Sequence, residues 1–71
     1  VPGGYVNTAS GTTSFAAGAR AQAQHAGAFV WSDFNDFYFA STAVNQFSVR
    51  ATGGVRIVTG INATNGAPRQ V

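Results

Sequence analysis

The chain has no cysteine, and none of its 71 residues form a cluster of metal ligands, so neither of the usual staples for a small fold is present. Lysine is absent too. Positive charge comes from four isolated arginines, Arg20, Arg50, Arg56 and Arg69, set against Asp33 and Asp36. The net charge of +2 therefore has no basic stripe behind it, and Arg50 with Arg56, the one candidate patch, reads as solvated or structural, so no nucleic-acid partner is expected. Hydrophobic runs stay well short of a membrane span and no signal peptide is visible, so membrane insertion is not expected. The chain starts at Val1 without a methionine, which fits a fragment or processed product whose targeting segment lies elsewhere.

Catalytic groups are equally scarce. His25 is the single histidine, no serine is placed to act as its nucleophile, and it reads as a structural residue, hydrogen-bonding at a turn or stacking near a trimer edge. Asp33 and Asp36 with Asn35 lack the further oxygen ligands that calcium requires. Neither Gly3-Gly4 nor Gly53-Gly54 is followed by Gly-Lys-Ser/Thr, so no phosphate-cradling loop is present. The expectation is a protein that is not an enzyme and takes no cofactor. Charged residues make up 8% of the chain against 45% hydrophobic, which leaves little charge to solvate a free surface. A domain of this size buries only about 60% of its unfolded surface. Oligomerisation is the staple that remains.

What the chain does have is a seven-residue ladder of small corners: Gly4, Gly11, Gly18, His25 and Ser32. Two series run in phase with it, Asn7/Ser14/Ala21/Ala28 and Ala9/Ala16/Ala23/Val30, so residues 4–32 are an internal repeat of short strands. The residues between the rungs alternate in character: Thr8 and Ser10 are polar, Phe15 and Ala17 apolar, Gln22 and Gln24 polar, Phe29 and Trp31 apolar. Because strand side chains alternate between faces, the repeating unit is two strands, a coil of about fourteen residues. Its small face turns inward. Every second outer face is then wet, and the alternate faces carry Phe15, Phe29 and Trp31, which need a cover. A coiled coil would place large apolar residues at its core positions with charges beside them, whereas the repeating positions here are Gly, Ala and Ser. Glycine every seventh residue also weakens a helix, and 19–26 is the one stretch that reads as helical in isolation.

The ladder stops at Ser32. Residues 33–39 place Phe34, Phe37, Tyr38 and Phe39 among Asp33, Asn35 and Asp36, and 32–36 reads as an Asp-rich turn. The aromatics after it return to a core in the more economical reading. In the sharper one, Asp33, Phe34, Asp36, Phe37 and Tyr38 form an exposed platform that stacks on a cell-surface glycan or receptor. Residues 45–60 contain two alternating runs, Phe47/Val49/Ala51 and Val55/Ile57/Thr59, separated by Gly53-Gly54. A three-residue turn at 52–54 gathers Phe47, Val49, Ala51, Val55 and Ile57 on one face of a hairpin, at the cost of setting Arg50 opposite Arg56. The tail 61–71, with Asn65-Gly66 and Pro68, reads as a linker or a frayed end.

The pattern Ala9-x-Gly11-x-x-Ser14-x-Ala16-x-Gly18-x-x-Ala21-x-Ala23 resembles the head repeats of trimeric autotransporter adhesins. The stretch from Gly3 to Gly60, especially SFAAGARAQAQHAGAFVW and NQFSVRATGGV, is similar to shaft segments of bacterial and phage tail-fibre-like proteins. The first resemblance implies a left-handed parallel β-roll joined as a trimer. The second implies an extracellular fibre, on a bacterial surface or a virion, of the kind that often precedes an intramolecular chaperone domain. The chain departs from the adhesin pattern at His25, at Trp31 and throughout 33–60.

The expected fold is thus all-β: one module of 71 residues with a short-stranded parallel β-solenoid over 4–32, further strands or a hairpin over 33–60, and a tail, assembled as an intertwined homotrimer. Phe15, Phe29, Trp31, Phe47 and Val49 are the expected trimer interface. The expected role is structural, giving a fibre rigidity and trimerisation. Adhesion through 33–39 is the alternative, and a helical filament of stacked copies a weaker one, because solenoid ends are open strand edges.

Overall fold

The computed structural model describes residues 2–61 and 63–70. It is all-β, with nine short strands: β1 Gly4–Tyr5, β2 Thr8–Ala9, β3 Phe15–Ala19, β4 Ala21–Ala23, β5 Phe29–Ser32, β6 Phe39–Ala40, β7 Phe47–Arg50, β8 Val58–Ile61 and β9 Pro68–Gln70. The first seven wind into a solenoid of about three turns. Odd-numbered strands form a four-stranded parallel sheet, β1-β3-β5-β7, and even-numbered strands a three-stranded one, β2-β4-β6. Gly4 aligns with Gly18 and Gly18 with Ser32, so the first coils are fourteen residues long, as two heptads require.

The small residues lie inside. Ala16, Ala21, Ala23, Ala28 and Val30 form the buried cluster, with Ser32 and Ser41 also buried, and Val30 is the bulkiest apolar side chain fully enclosed. Two sheets this close leave room for little more than a methyl group. Gly18 shows how tight the axis is: its φ is +100°, and a Cβ there would fall on the backbone of Ser32 in the next coil. The corners repeat their backbone conformation as well. Thr13, Gly27 and Asn45 occupy successive coils at one corner, all with φ between 54° and 69°. Asn7 closes the other corner of the first coil, donating to the Gly18 carbonyl at 2.8 Å and accepting from the Ala21 amide at 2.9 Å. His25 sits at a corner, its Nδ1 2.7 Å from Ser41 Oγ, which also accepts the Gln24 amide. This is the turn-bonding role that the sequence suggests for it.

The third coil is longer. Phe29 aligns with Phe47 and Ala21 with Phe39, eighteen residues apart in both sheets. The extra four residues can be placed. Two residues separate Gly18 from Ala21, whereas six (33–38) separate the aligned Ser32 from Phe39, so the coil bulges at the corner after β5.

Two expectations are corrected here. Phe47–Arg50 does not fold back on residues 55–59 as a hairpin; it pairs parallel with β5 and continues the solenoid. The Gly54 amide does close a turn onto Ala51 O at 2.9 Å, but the strand that follows begins only at Val58 and pairs antiparallel with β9. Val55 and Ile57 are exposed instead of joining Phe47 on a hairpin face, and Arg56 does not oppose Arg50 in a ladder. Ile61 and residues 68–70 of the stretch that reads as a linker belong to the β8–β9 pair; Asn62 and Val71 of that stretch lie outside the described residues.

Candidate functional site

Strand register puts the large apolar side chains on one outer surface. In the β1-β3-β5-β7 sheet, Phe15, Phe29 and Phe47 align in one row and Ala17, Trp31 and Val49 in the next, on the face opposite buried Ala16 and Val30. In-register parallel strands lie about 4.8 Å apart, and the phenyl rings adopt that spacing. Phe15 and Phe29 stack with centroids 4.4 Å apart and planes 4° from parallel; Phe29 and Phe47 stack at 4.7 Å and 17°. Each such pair contributes about 0.5–1.5 kcal/mol beyond burial. Stacking covers ring faces and leaves ring edges open, and Phe15, Trp31 and Phe47 all remain exposed, Phe47 at 72%. All five residues of the expected interface are therefore brought together on one face. The outer face of the other sheet presents Thr8 and Gln22.

The four-residue bulge flanks this face, and two arginines hold it. Arg50 occupies the register position of buried Ser32, but no further coil covers it. Its guanidinium turns onto the bulge, donating from Nε to Asp33 Oδ1 at 2.9 Å, from Nη1 to Phe37 O at 2.8 Å and from Nη2 to Asn35 O at 2.6 Å. It also lies 5.6 Å over the Phe39 ring. Arg20, which turns the preceding coil, pairs through Nε with Asp36 Oδ1 and stacks 4.9 Å over the Tyr38 ring. Asp33 accepts the Thr52 amide at its second oxygen, 2.8 Å away. That backbone amide foremost, and then the Asn35 side chain, hold the Asp33 carboxyl far below the ordinary carboxylate range.

The residues proposed from sequence as a binding platform thus divide. Asp33 has both carboxylate oxygens taken by its own chain, and Asp36 is paired with Arg20. The aromatics do not return to the core, as the more economical reading has it: Phe34 is 99% exposed, Phe37 75% and Tyr38 57%, and only Phe39 packs against the core cluster. The reason is the bulge itself. A fourteen-residue coil has no space for four more residues, so they leave the wall and carry their rings outward.

An open cleft of about 400 Å³ runs between the bulge and the sheet, walled chiefly by Tyr5, Ala19, Trp31 and Phe34. Tyr5 is a site residue that sequence reasoning missed, as are the roles of Arg20 and Arg50 in holding the bulge. Tyr5 precedes Ala19 by fourteen residues, and that spacing is the signal that places it on the aromatic face. Among the described residues, no three His, Cys, Asp or Glu side chains are grouped to hold a metal ion. No protein-family model, curated protein or solved structure matches this chain.

Proposed function

We propose that this chain is a structural module of an extracellular trimeric fibre, of the tail-fibre or adhesin-shaft kind, supplying rigidity and trimerisation. The observation that carries the reading is the aromatic face: an in-register Phe15–Phe29–Phe47 stack beside Trp31, left open on one sheet while the opposite sheet carries Thr8, Gln22 and Ala40 in its outer row. Multiplying each exposed fraction by the roughly 200 Å² of an aromatic side chain gives about 420 Å² for Tyr5, Phe15, Trp31 and Phe47 together. A contiguous apolar patch of this size matches the largest that a typical monomer carries, and such patches are often functional. The narrow core supports the same conclusion, since alanines and one valine contribute little burial for a chain of this length. Three copies around one axis bury the faces against each other, and cyclic closure stops lateral growth. The setting outside a cell rests on the resemblance of residues 3–60 to shaft segments.

Native mass spectrometry on Phe47→Ser and Trp31→Ala tests the reading. Both variants are expected to lose the assembly seen for the unaltered chain, and a full-mass assembly in both refutes the assigned face. A second reading, glycan or receptor adhesion through 33–39, is favoured by the exposure of Phe34, Phe37 and Tyr38. Titration with soluble oligosaccharides, followed by Trp and Tyr fluorescence, tests it. The engagement of Asp33 and Asp36 within the chain weighs against it, because sugar recognition needs free hydrogen-bonding groups beside the rings.

A further inference from the structure

The tip of the β8–β9 hairpin carries Asn65, the one asparagine of the chain that is followed by glycine. Residues 63–65 turn between Ile61 and Pro68, and 63–67 are all exposed. Asn65 folds its side chain onto its own backbone, Oδ1 accepting the Ala67 amide at 2.9 Å, the bond two residues on that asparagine favours in turns. Gly66 follows with φ +71°, and a Cβ placed there would meet nothing within 4 Å, so the space around it is open. The other asparagines precede residues that carry a Cβ: Thr8 after Asn7, Asp36 after Asn35, Gln46 after Asn45 and Ala63 after Asn62. Two of their side-chain amides are also engaged, Asn7 Nδ2 donating to the Gly3 and Gly18 carbonyls and Asn35 Nδ2 to Thr52 Oγ1.

We propose that Asn65 is a self-modifying site, its side-chain amide converted to a carboxylate by the neighbouring Gly66 amide and water. The Gly66 nitrogen attacks Asn65 Cγ and gives up its proton to solvent. Oδ1 takes the developing negative charge, and the Ala67 amide that bonds it is a donor aimed at that charge. The Cγ–Nδ2 bond then breaks, and Nδ2 takes a proton from solvent and leaves as ammonia, which closes a succinimide ring. Water adds to either ring carbonyl: opening at Cγ gives aspartate, and opening at the Asn65 backbone carbonyl gives isoaspartate, with the main chain running through Cγ. Amide and water thus become carboxylic acid and ammonia, and nothing is oxidised or reduced. Attack is favoured because the two groups are held side by side in adjacent residues, and the missing Gly66 side chain leaves the nitrogen accessible. Ionisation of the new acid lowers the formal net charge of +2 by one, and the isoaspartate form adds a methylene to the backbone of the turn. β8 and β9 pair with each other and with neither solenoid sheet, so the change is confined to the hairpin. The proposal stands apart from the trimer reading.

The test incubates the unaltered folded protein in mildly alkaline buffer made with heavy-oxygen water, then maps its peptides by tandem mass spectrometry and labels isoaspartate by enzymatic methyl transfer. Heavy oxygen and isoaspartate are expected at Asn65, together with a new band one charge more acidic on isoelectric focusing, while Asn7, Asn35, Asn45 and Asn62 keep their amides. No conversion at Asn65, or equal conversion at any of the other four, overturns the proposal. Gly66→Ala is expected to lose the product at residue 65. Because alanine at that φ disturbs the turn by itself, Asn65→Gln is the second variant: it keeps a side-chain amide but needs a larger ring, and it is expected to lose the isoaspartate label and the acidic band. An acidic band that forms at the unaltered rate in either variant places the reaction elsewhere in the chain and overturns the assignment to Asn65.

Discussion

Gly18→Ala is the sharpest perturbation of the coil. Gly18 lies at the end of the β3–β5 pairing with φ +100°, and an added Cβ would sit on the Ser32 carbonyl oxygen, 2.8 Å from its carbon and 3.0 Å from the Ser32 nitrogen. Two costs follow. An L-residue in a left-handed conformation loses about 1–2 kcal/mol, and an overpacked methyl against backbone that cannot rotate away costs about 1–3 kcal/mol. The sum, about 2–5 kcal/mol, is a large part of the roughly 4–10 kcal/mol expected for a chain of this length. The assay is guanidinium unfolding followed by circular dichroism at one fixed chain concentration, because the stability of an assembly depends on concentration. Gly53→Ala is the control: nothing lies within 4 Å of its added Cβ, and its change is expected to stay within about 0.5 kcal/mol of zero, the range of ordinary surface substitutions. A Gly18→Ala chain that unfolds within about 0.5 kcal/mol of the unaltered one refutes the stacking of Gly18 on Ser32, and with it the fourteen-residue coil.

Other substitutions test the interior and the bulge. Ser32 is fully buried and its hydroxyl has no hydrogen-bond partner, so Ser32→Ala is expected to raise stability by about 1 kcal/mol; a loss of that size in the same assay contradicts the burial. Ala16→Leu puts a large side chain on the narrow axis and is expected to destabilise by at least about 1–3 kcal/mol, with a neutral result showing that the axis is wider than described. Asp33 is held in its charged form in the folded chain, so its folded pKa lies below the unfolded value. Its contribution is therefore complete above about pH 4 and is lost as pH falls below that. Unfolding midpoints should drop as the solution is acidified through this window, and the drop should shrink in Asp33→Asn; an unchanged acid slope in that variant removes Asp33 from the bulge network.

The coil could be read from the sequence because its cause is local. Side chains that alternate between two faces, with small residues on one and alternating wet and dry pairs on the other, leave few geometries besides a two-strand turn. The same physics made His25 readable as a turn residue and Phe15, Phe29 and Trp31 as sharing one face. What failed was phase. After Ser32 the bulge adds four residues, so Phe47 and Val49 stand eighteen instead of fourteen residues after Phe29 and Trp31. An eye following sevens loses them there, and Gly53-Gly54 then suggests a hairpin. Subtracting the four returns Phe47 and Val49 to register. The roles of Arg50 and Arg20 were hidden for another reason: their partners lie 13 to 17 residues back or ahead and include backbone carbonyls, which no side-chain pattern reveals. The exposure of Phe34 and Phe37 follows from the bulge, and the sequence carried it only as the alternative reading of 33–39 as an exposed platform.

The central claim is that the open aromatic face is covered by further copies of the same chain. Native mass spectrometry of the unaltered protein at micromolar concentration tests it most directly. The account predicts a species of three times the 7.3 kDa chain mass with a β-rich circular dichroism spectrum, and a folded species at the mass of one chain would contradict it.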